Sequence, residues 1–179
     1  MDVVKRNLEN LKGRVDIKST EGEGTTVVLR IPLTLAIIDG MLIRVGSSRY
    51  TIPLLSIRES FKPEKSRITT TMDGQESIRV REEIIPVVRL HEMYKVQPDF
   101  ENLEDGIIIM VSSGPKKVCM FADEILGHHQ TVIKGIPKYI GWAKGISGCT
   151  ILGDGEVSLI LDVGEIITTA EQYSEEHGA

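Results

Sequence analysis

Apolar positions in this chain come in short bursts separated by turn residues, and only the two ends read as helical. Near the start, Val3, Val4, Leu8 and Leu11 share one face of a helix over Asp2–Leu11, with Gly13 as its stop. Arg14–Ser19 and Thr25–Ile31 then read as two strands around Thr20-Glu-Gly-Glu-Gly24, ended by Pro32. From Leu33 the pattern becomes all-β. Strands are predicted at Leu35–Ile38, Met41–Val45, Arg49–Pro53, Ser77–Arg81 and Ile84–Leu90, and, past the polar stretch Lys95–Asp105, at Gly106–Ser112, Lys117–Ala122, Thr131–Ile133, Ser147–Leu152 and Val157–Val163. Gly46-Ser-Ser48, Asp73-Gly74, Ser113-Gly-Pro115 and Asp154-Gly155 supply the turns. Glu165–Tyr173 reads as a short helix, and Ser174–Ala179 carries no apolar pattern, so it is expected to fray.

A weak repeat runs through the β region. Leu42–Pro53 and Ile108–Cys119 share a strand, polar turn, strand form. Each is followed by a mixed apolar and charged stretch, Leu54–Phe61 and Phe121–Gly127, and then by a second hairpin, near Arg79–Arg89 and Thr150–Val163. The spacing predicts two similar halves of about 65–70 residues each, built as small barrels or a sandwich. The last strand, Val157–Val163, is almost wholly apolar and should be buried, with Ile160 at its centre.

Composition narrows the function classes. The chain has 179 residues, enough for a sizeable core, with 41% hydrophobic and 26% charged residues, as in soluble globular proteins. The net charge of -5 and the lack of a basic run give no support to nucleic-acid binding. No stretch approaches the roughly 20 apolar residues that cross a bilayer, and the charged first residues do not form a secretory signal, so a cytoplasmic protein without direct membrane insertion is expected. The two cysteines, Cys119 and Cys149, each sit among apolar neighbours and read as reduced, buried thiols.

The segment Gly145–Val163, with Asp154-Gly155 suited to a tight hairpin, carries more information than any other. It resembles the near-C-terminal signature of CheW-like domains, in the version carried by the chemotaxis histidine kinase CheA. Further resemblance is spread over Gly40-x-x-x-x-Val45, Ile52-Pro-Leu54, Arg81-Glu-Glu-Ile-Ile-Pro86, Val118–Gly127 and Val132-Ile-Lys134. Upstream, Met1-Asp-Val-Val-Lys-Arg-Asn, Gly22–Pro32 and Leu33–Gly40 look like the tail of that kinase's ATP-binding domain running into its regulatory domain. Glu82-Glu83 departs from the pattern of many relatives, which have glycine there, and leaves the conformation of the Arg81 turn open. The resemblance implies a mainly β fold of two small five-stranded SH3-like barrels, preceded by a short helix and a hairpin. Residues 1–32 would be the remnant of the ATP-binding domain, 33–172 the CheW-like regulatory domain and 173–179 a flexible tail.

Catalytic chemistry is hard to find. Of the kinase's nucleotide-binding elements, only Gly22-x-Gly24-Thr25-Thr26 is present, and a lone Gly-x-Gly reads first as a hairpin turn. His91-Glu-Met-Tyr-Lys95 has lysine where a zinc motif needs its second histidine. His128-His129 reads as a loop pair rather than a metal site, and His177 lies in the tail. Ser147 lacks the last glycine of a nucleophile elbow, since Cys149 stands there. Asp123-Glu124 and Glu82-Glu83 read as solvated acidic pairs. No catalytic residue, cofactor or metal is therefore expected.

What remains is binding surface. Leu54, Leu55 and Ile57 cannot all face one core, so at least one should point outward. By resemblance, Ile57 corresponds to an apolar residue on the coupling surface and Arg81 to a basic residue beside it. The resemblance implies an adaptor that joins the kinase to the coupling protein CheW, to the cytoplasmic tip of the chemoreceptor and to the kinase's own other domains. A stand-alone CheW-type coupling protein and a nucleotide-binding enzyme fragment are the alternatives.

Overall fold

A computed structural model describes residues 14–22, 24–30, 37–72, 74–135 and 144–177. The predicted helix over Asp2–Leu11 lies outside them. The chain forms two compact units that divide between Ile37 and Ile38.

The first unit holds the hairpin β1 (Arg14–Thr20) and β2 (Gly24–Arg30), antiparallel with Thr20 opposite Gly24. Gly22 and Gly24 take φ values of 83° and 108° at its turn, where a side chain is disfavoured. The Gly-x-Gly pair is thus hairpin chemistry. Val15 faces Leu29 and Ile17 faces Val27 across the two strands, giving the hairpin one apolar face.

The second unit is two sheets. One has five strands in the order β11-β3-β4-β13-β12, the other six in the order β5-β9-β10-β8-β7-β6. The first is built from both ends of the unit: β3 (Ile37–Val45), β4 (Ser48–Pro53), β11 (Glu124–Val132), β12 (Ile146–Ile151) and β13 (Val157–Leu161). The second is the stretch between: β5 (Ile57–Phe61), β6 (Ile68–Thr70), β7 (Glu76–Val80), β8 (Glu83–Arg89), β9 (Ile107–Ser113) and β10 (Lys116–Ala122). The mainly β, SH3-like expectation therefore holds. No strand pairing between described strands closes either sheet into a barrel. The five-stranded sheet nonetheless curls until its edges meet. Lys134, just past β11, exchanges backbone hydrogen bonds of 2.8 and 2.9 Å with Cys149 of β12.

The repeat is present in its hairpins, but their partners are exchanged between the halves. β3–β4 joins β12–β13 through the parallel pair β4/β13, and β9–β10 joins β7–β8 through the parallel pair β8/β10. The chain crosses to the six-stranded sheet after Pro53 and returns at Asp123.

Alternation explains the core. Met41, Ile43, Val45, Tyr50, Ile52 and Leu161 on one sheet face Ile109, Val111, Val118 and Met120 on the other in a shared cluster. It also takes Leu90 from α1 (Leu90–Tyr94), and Val163, Ile166 and Ile167 from α2 (Val163–His177). A second cluster, around Ile78, Ile85, Ile108, Cys119 and Phe121, lies on the far face of the six-stranded sheet. Ile160 is 1% exposed on β13, between β4 and β12, as a central strand residue should be.

Several boundaries differ from the sequence reading. β3 runs unbroken through Asp39-Gly40. His128-His129 lie within strand β11, not in a loop. α2 continues to His177, past the predicted end at Tyr173. Cys119 and Cys149 are free thiols, the first buried and the second half-buried.

Candidate functional site

The crossing from β4 to β5 is a single 3-10 turn, Leu54–Ser56. It opens after Pro53, whose φ of -57° suits a helix start, and closes with the Ile57 N–H donating to the Leu54 carbonyl. Leu54 and Ile57 turn inward and pack against the shared core. Leu55 turns outward and is 96% exposed. Of the three apolar residues placed here by sequence reasoning, one therefore faces solvent and two support it. Ile57, which the resemblance sets on the coupling surface, is only partly exposed, and a carboxylate there would enter the junction between the sheets.

β5 continues outward from this turn. A bulge against β9, between Ile57 and Glu59, swings Arg58 into solvent, and its Nε donates to Ser112 Oγ at 2.6 Å. Arg81 arrives from the β7–β8 turn. Its Nη2 stands 3.9 Å from Glu59 Oε2, with 84% of the arginine side chain exposed. Such a pair contributes about 0–1 kcal/mol. Arg81 also holds φ at 58°, a left-handed conformation that is strained for a side chain. The two-residue turn between the paired Val80 and Glu83 calls for a positive φ at its first position, and Arg81 supplies it without glycine. Arg58, Glu59, Arg81, Met110, Ser112 and Lys117 enclose a hollow of about 420 Å³. The structure thus brings Arg81 to β5, the strand that Leu55 introduces.

A larger groove, about 1130 Å³, lies between β8, α1, α2 and the loop after α1. Its floor carries Pro86 and Val88, and Met93 and Ile166 line its walls. Arg89, also on the lining, forms a two-pronged ion pair with Glu76 at 2.6 and 2.9 Å and lies 5.3 Å over the Phe121 ring. The Glu76 carboxylate raises the guanidinium pKa. Tyr94 stacks on Tyr50 at 5.1 Å and donates its hydroxyl to the Gly145 carbonyl, and burial pushes its pKa up. This groove was not visible in the sequence, because its lining is drawn from segments more than 90 residues apart.

The remaining titratable residues have structural settings. His128 is exposed and His129 half-buried on successive positions of β11, so the two rings leave opposite faces and cannot chelate together. Burial lowers the His129 pKa, and neither of its ring nitrogens has a partner among the described residues. His91 packs edge-on to Phe121. The largest correction concerns Asp123-Glu124. Glu124 is exposed and pairs with Arg44, but Asp123 is only 5% exposed and accepts hydrogen bonds from the Gly46, Asp99 and Phe100 N–H groups. Acidic neighbours in the sequence hid two opposite environments.

A family model described as the CheW-like domain matches residues 39–171. Among curated relatives, the chemotaxis protein CheA of Salmonella typhimurium is 37% identical over 166 residues and that of Bacillus subtilis 40% over 167 residues. The sensor histidine kinase CheAY of Helicobacter pylori is 39% identical over 171 residues. These alignments take in 93%, 93% and 96% of this chain but 25%, 25% and 21% of those proteins, so the chain spans about a quarter of their length. The crystal structure of the scaffolding protein TtCheW from Thermoanaerobacter tengcongensis shares the fold with a TM-score of 0.57 at 18% identity, over 69% of this chain and 88% of that one.

Proposed function

The chain belongs to the CheW-like domain family, and from that premise we propose that it is the coupling region of a CheA-type chemotaxis histidine kinase. On this reading it has no chemistry of its own. It docks onto a CheW-type coupling protein and onto the cytoplasmic tip of a chemoreceptor, and carries their state to the kinase's other domains. Phosphoryl transfer belongs to those other parts, in the cytoplasm.

The observation that carries the proposal is Leu55, 96% exposed on a turn whose two apolar neighbours are anchored in the core. An outward-facing leucine three residues before Arg58, which lines the polar hollow, has the form of an interface anchor with a wet rim. Burying its side chain against a partner contributes about 1.5–3 kcal/mol. Arg81, strained and exposed, belongs to the rim and would set orientation and association rate more than affinity.

The test is titration calorimetry of the chain against a purified CheW-type coupling protein and, separately, a receptor-tip fragment. Saturable binding to at least one supports the reading, and no binding to either contradicts it. The enzymatic alternative makes the opposite forecast in a thermal-shift experiment with Mg-ATP. A nucleotide site held at 100 times its dissociation constant would add roughly 2.7 kcal/mol of stability, whereas a coupling domain gains none.

A further inference from the structure

We propose that Asp123 is a pin that holds one wall of the large groove to the opposite sheet, so that the five-stranded sheet sets the shape of a groove lined mainly by the six-stranded one. Its consequence for coupling rests on the reading above; the pin itself does not.

Asp123 stands where the chain leaves β10 for β11 and so changes sheets. Its own N–H donates to the Arg44 carbonyl at 3.0 Å, which fixes it against the end of β3. Its carboxylate reaches two segments far apart in sequence. One oxygen accepts from the Gly46 N–H of the β3–β4 turn at 2.5 Å and from the Asp99 N–H at 3.0 Å, while the other accepts from the Phe100 N–H at 3.2 Å. Three charge-assisted bonds to backbone donors are a strong tie in a site shielded from water.

Two further contacts act on the same loop. Gly46 has φ of 56°, and a Cβ added there would lie 1.9 Å from the Gln97 carbonyl oxygen, an approach that only glycine permits. Outside, the Arg44 guanidinium donates to Asp99, to Glu124 and to the Gly46 carbonyl. The loop from Lys95 to Glu101 is neither helix nor strand, yet Lys95, Gln97 and Pro98 line the groove. The middle of the loop is thus tied to the five-stranded sheet, through Asp123, Gly46 and Arg44, while its ends are held by α1 and β8, where Val96 donates to the His91 carbonyl and Arg89 to the Glu101 carbonyl. Motion of one sheet against the other would move this wall and change the width of the groove.

The distinction between a pin and an ordinary core residue lies in which amides it protects. Hydrogen exchange followed by NMR on the free chain reads this without a partner, so the result is separate from the coupling proposal. In Asp123→Asn, which keeps the side-chain shape but removes the charge, the Gly46, Asp99 and Phe100 amides should exchange at least tenfold faster. Ile109, Val118 and Met120, at the centre of the six-stranded sheet, should keep their protection. Gly46→Ala leaves the carboxylate in place but drives the loop away, and should open Asp99 and Phe100 in the same way. Unchanged exchange at those amides, or an increase shared equally by Ile109 and Val118, would overturn the proposal.

Discussion

The two sheets follow one pairing scheme but fill their outer faces differently. On the six-stranded sheet that face buries Ile78, Ile85, Ile108, Met110, Cys119 and Phe121. On the five-stranded sheet that face is mixed: beside Ile160, 1% exposed and paired with Thr51, it carries Thr51, Thr150 and Ser158, each at most 2% exposed, with Gly40 and Gly148 also buried. There Thr51 and Ser158 share a hydrogen bond of 2.8 Å, and the Thr131 and Thr150 hydroxyls meet across the closing edge. Small residues let that sheet curl. A Cβ on Gly40 would lie 2.3 Å from Thr51 Cγ2, and one on Gly148 would lie 2.8 Å from Ile133 Cγ2 and 2.9 Å from the Lys134 carbonyl oxygen. One sheet is therefore held by apolar volume alone, and the other packs close approaches and paired hydroxyls around Ile160. The same connectivity tolerates both because the core that decides the fold lies between the sheets, not behind them.

Substitutions that remove volume should separate the two most strongly. Phe121→Ala is expected to cost about 3–5 kcal/mol in urea unfolding through a cavity in the apolar face. In the other sheet the damaging change is an addition. Gly40→Ala should cost about 1–3 kcal/mol, because the new methyl overlaps Thr51. A cost below about 0.5 kcal/mol would show slack in the curl and weaken the contrast.

Hydroxyl pairing gives the next effect. Thr51→Val leaves Ser158 without its partner and should cost about 1–3 kcal/mol, while the double variant with Ser158→Ala should recover most of it. Additive losses would mean that the two hydroxyls are not coupled.

Alkaline pH reaches the apolar sheet through Cys119. Burial pushes the Cys119 thiol up to about 12. Above the unfolded thiol value, near 8.5, the unfolded chain releases a proton that the folded chain keeps, so stability falls as pH rises, by about 1.4 kcal/mol per pH unit. Between pH 8 and 10 the wild type should thus lose about 2 kcal/mol more than Cys119→Ala. Parallel profiles would place solvent beside Cys119.

How far the sequence led follows from the same physics. Hairpins with local turn chemistry were legible. Asp154-Gly155 turns as expected, with Gly155 at φ 86° and its N–H donating to the Leu152 carbonyl at 2.9 Å. β8, β9, β10 and β13 were visible as apolar runs. Which hairpin joins which was not, because the parallel pair of β4 with β13 sets Arg49 beside Ser158, and no local pattern records it. β11 was largely missed because, after Ile125, its sheltered positions are Gly127, His129 and Thr131, so the apolar alternation stops at once. β5 was missed because Glu59 takes the sheltered position between Ile57 and Phe61, so its alternation is not apolar. The candidate docking residues Leu54, Leu55 and Ile57 fall together at one turn, but which of them faces solvent needed the direction of each side chain. Asp123 escaped because its burial depends on three backbone donors from two distant segments.

The central claim is that the turn between the sheets presents a docking anchor on a scaffold that its neighbours hold together. Leu55→Asp and Ile57→Asp, titrated by calorimetry against a CheW-type coupling protein and followed by circular dichroism during unfolding, test it most directly. Leu55→Asp should unfold within about 0.5 kcal/mol of wild type, as an exposed substitution does, yet bind at least tenfold more weakly. Ile57→Asp should lose several kcal/mol of stability by placing a carboxylate in the core. Wild-type affinity in a folded Leu55→Asp variant would contradict the account.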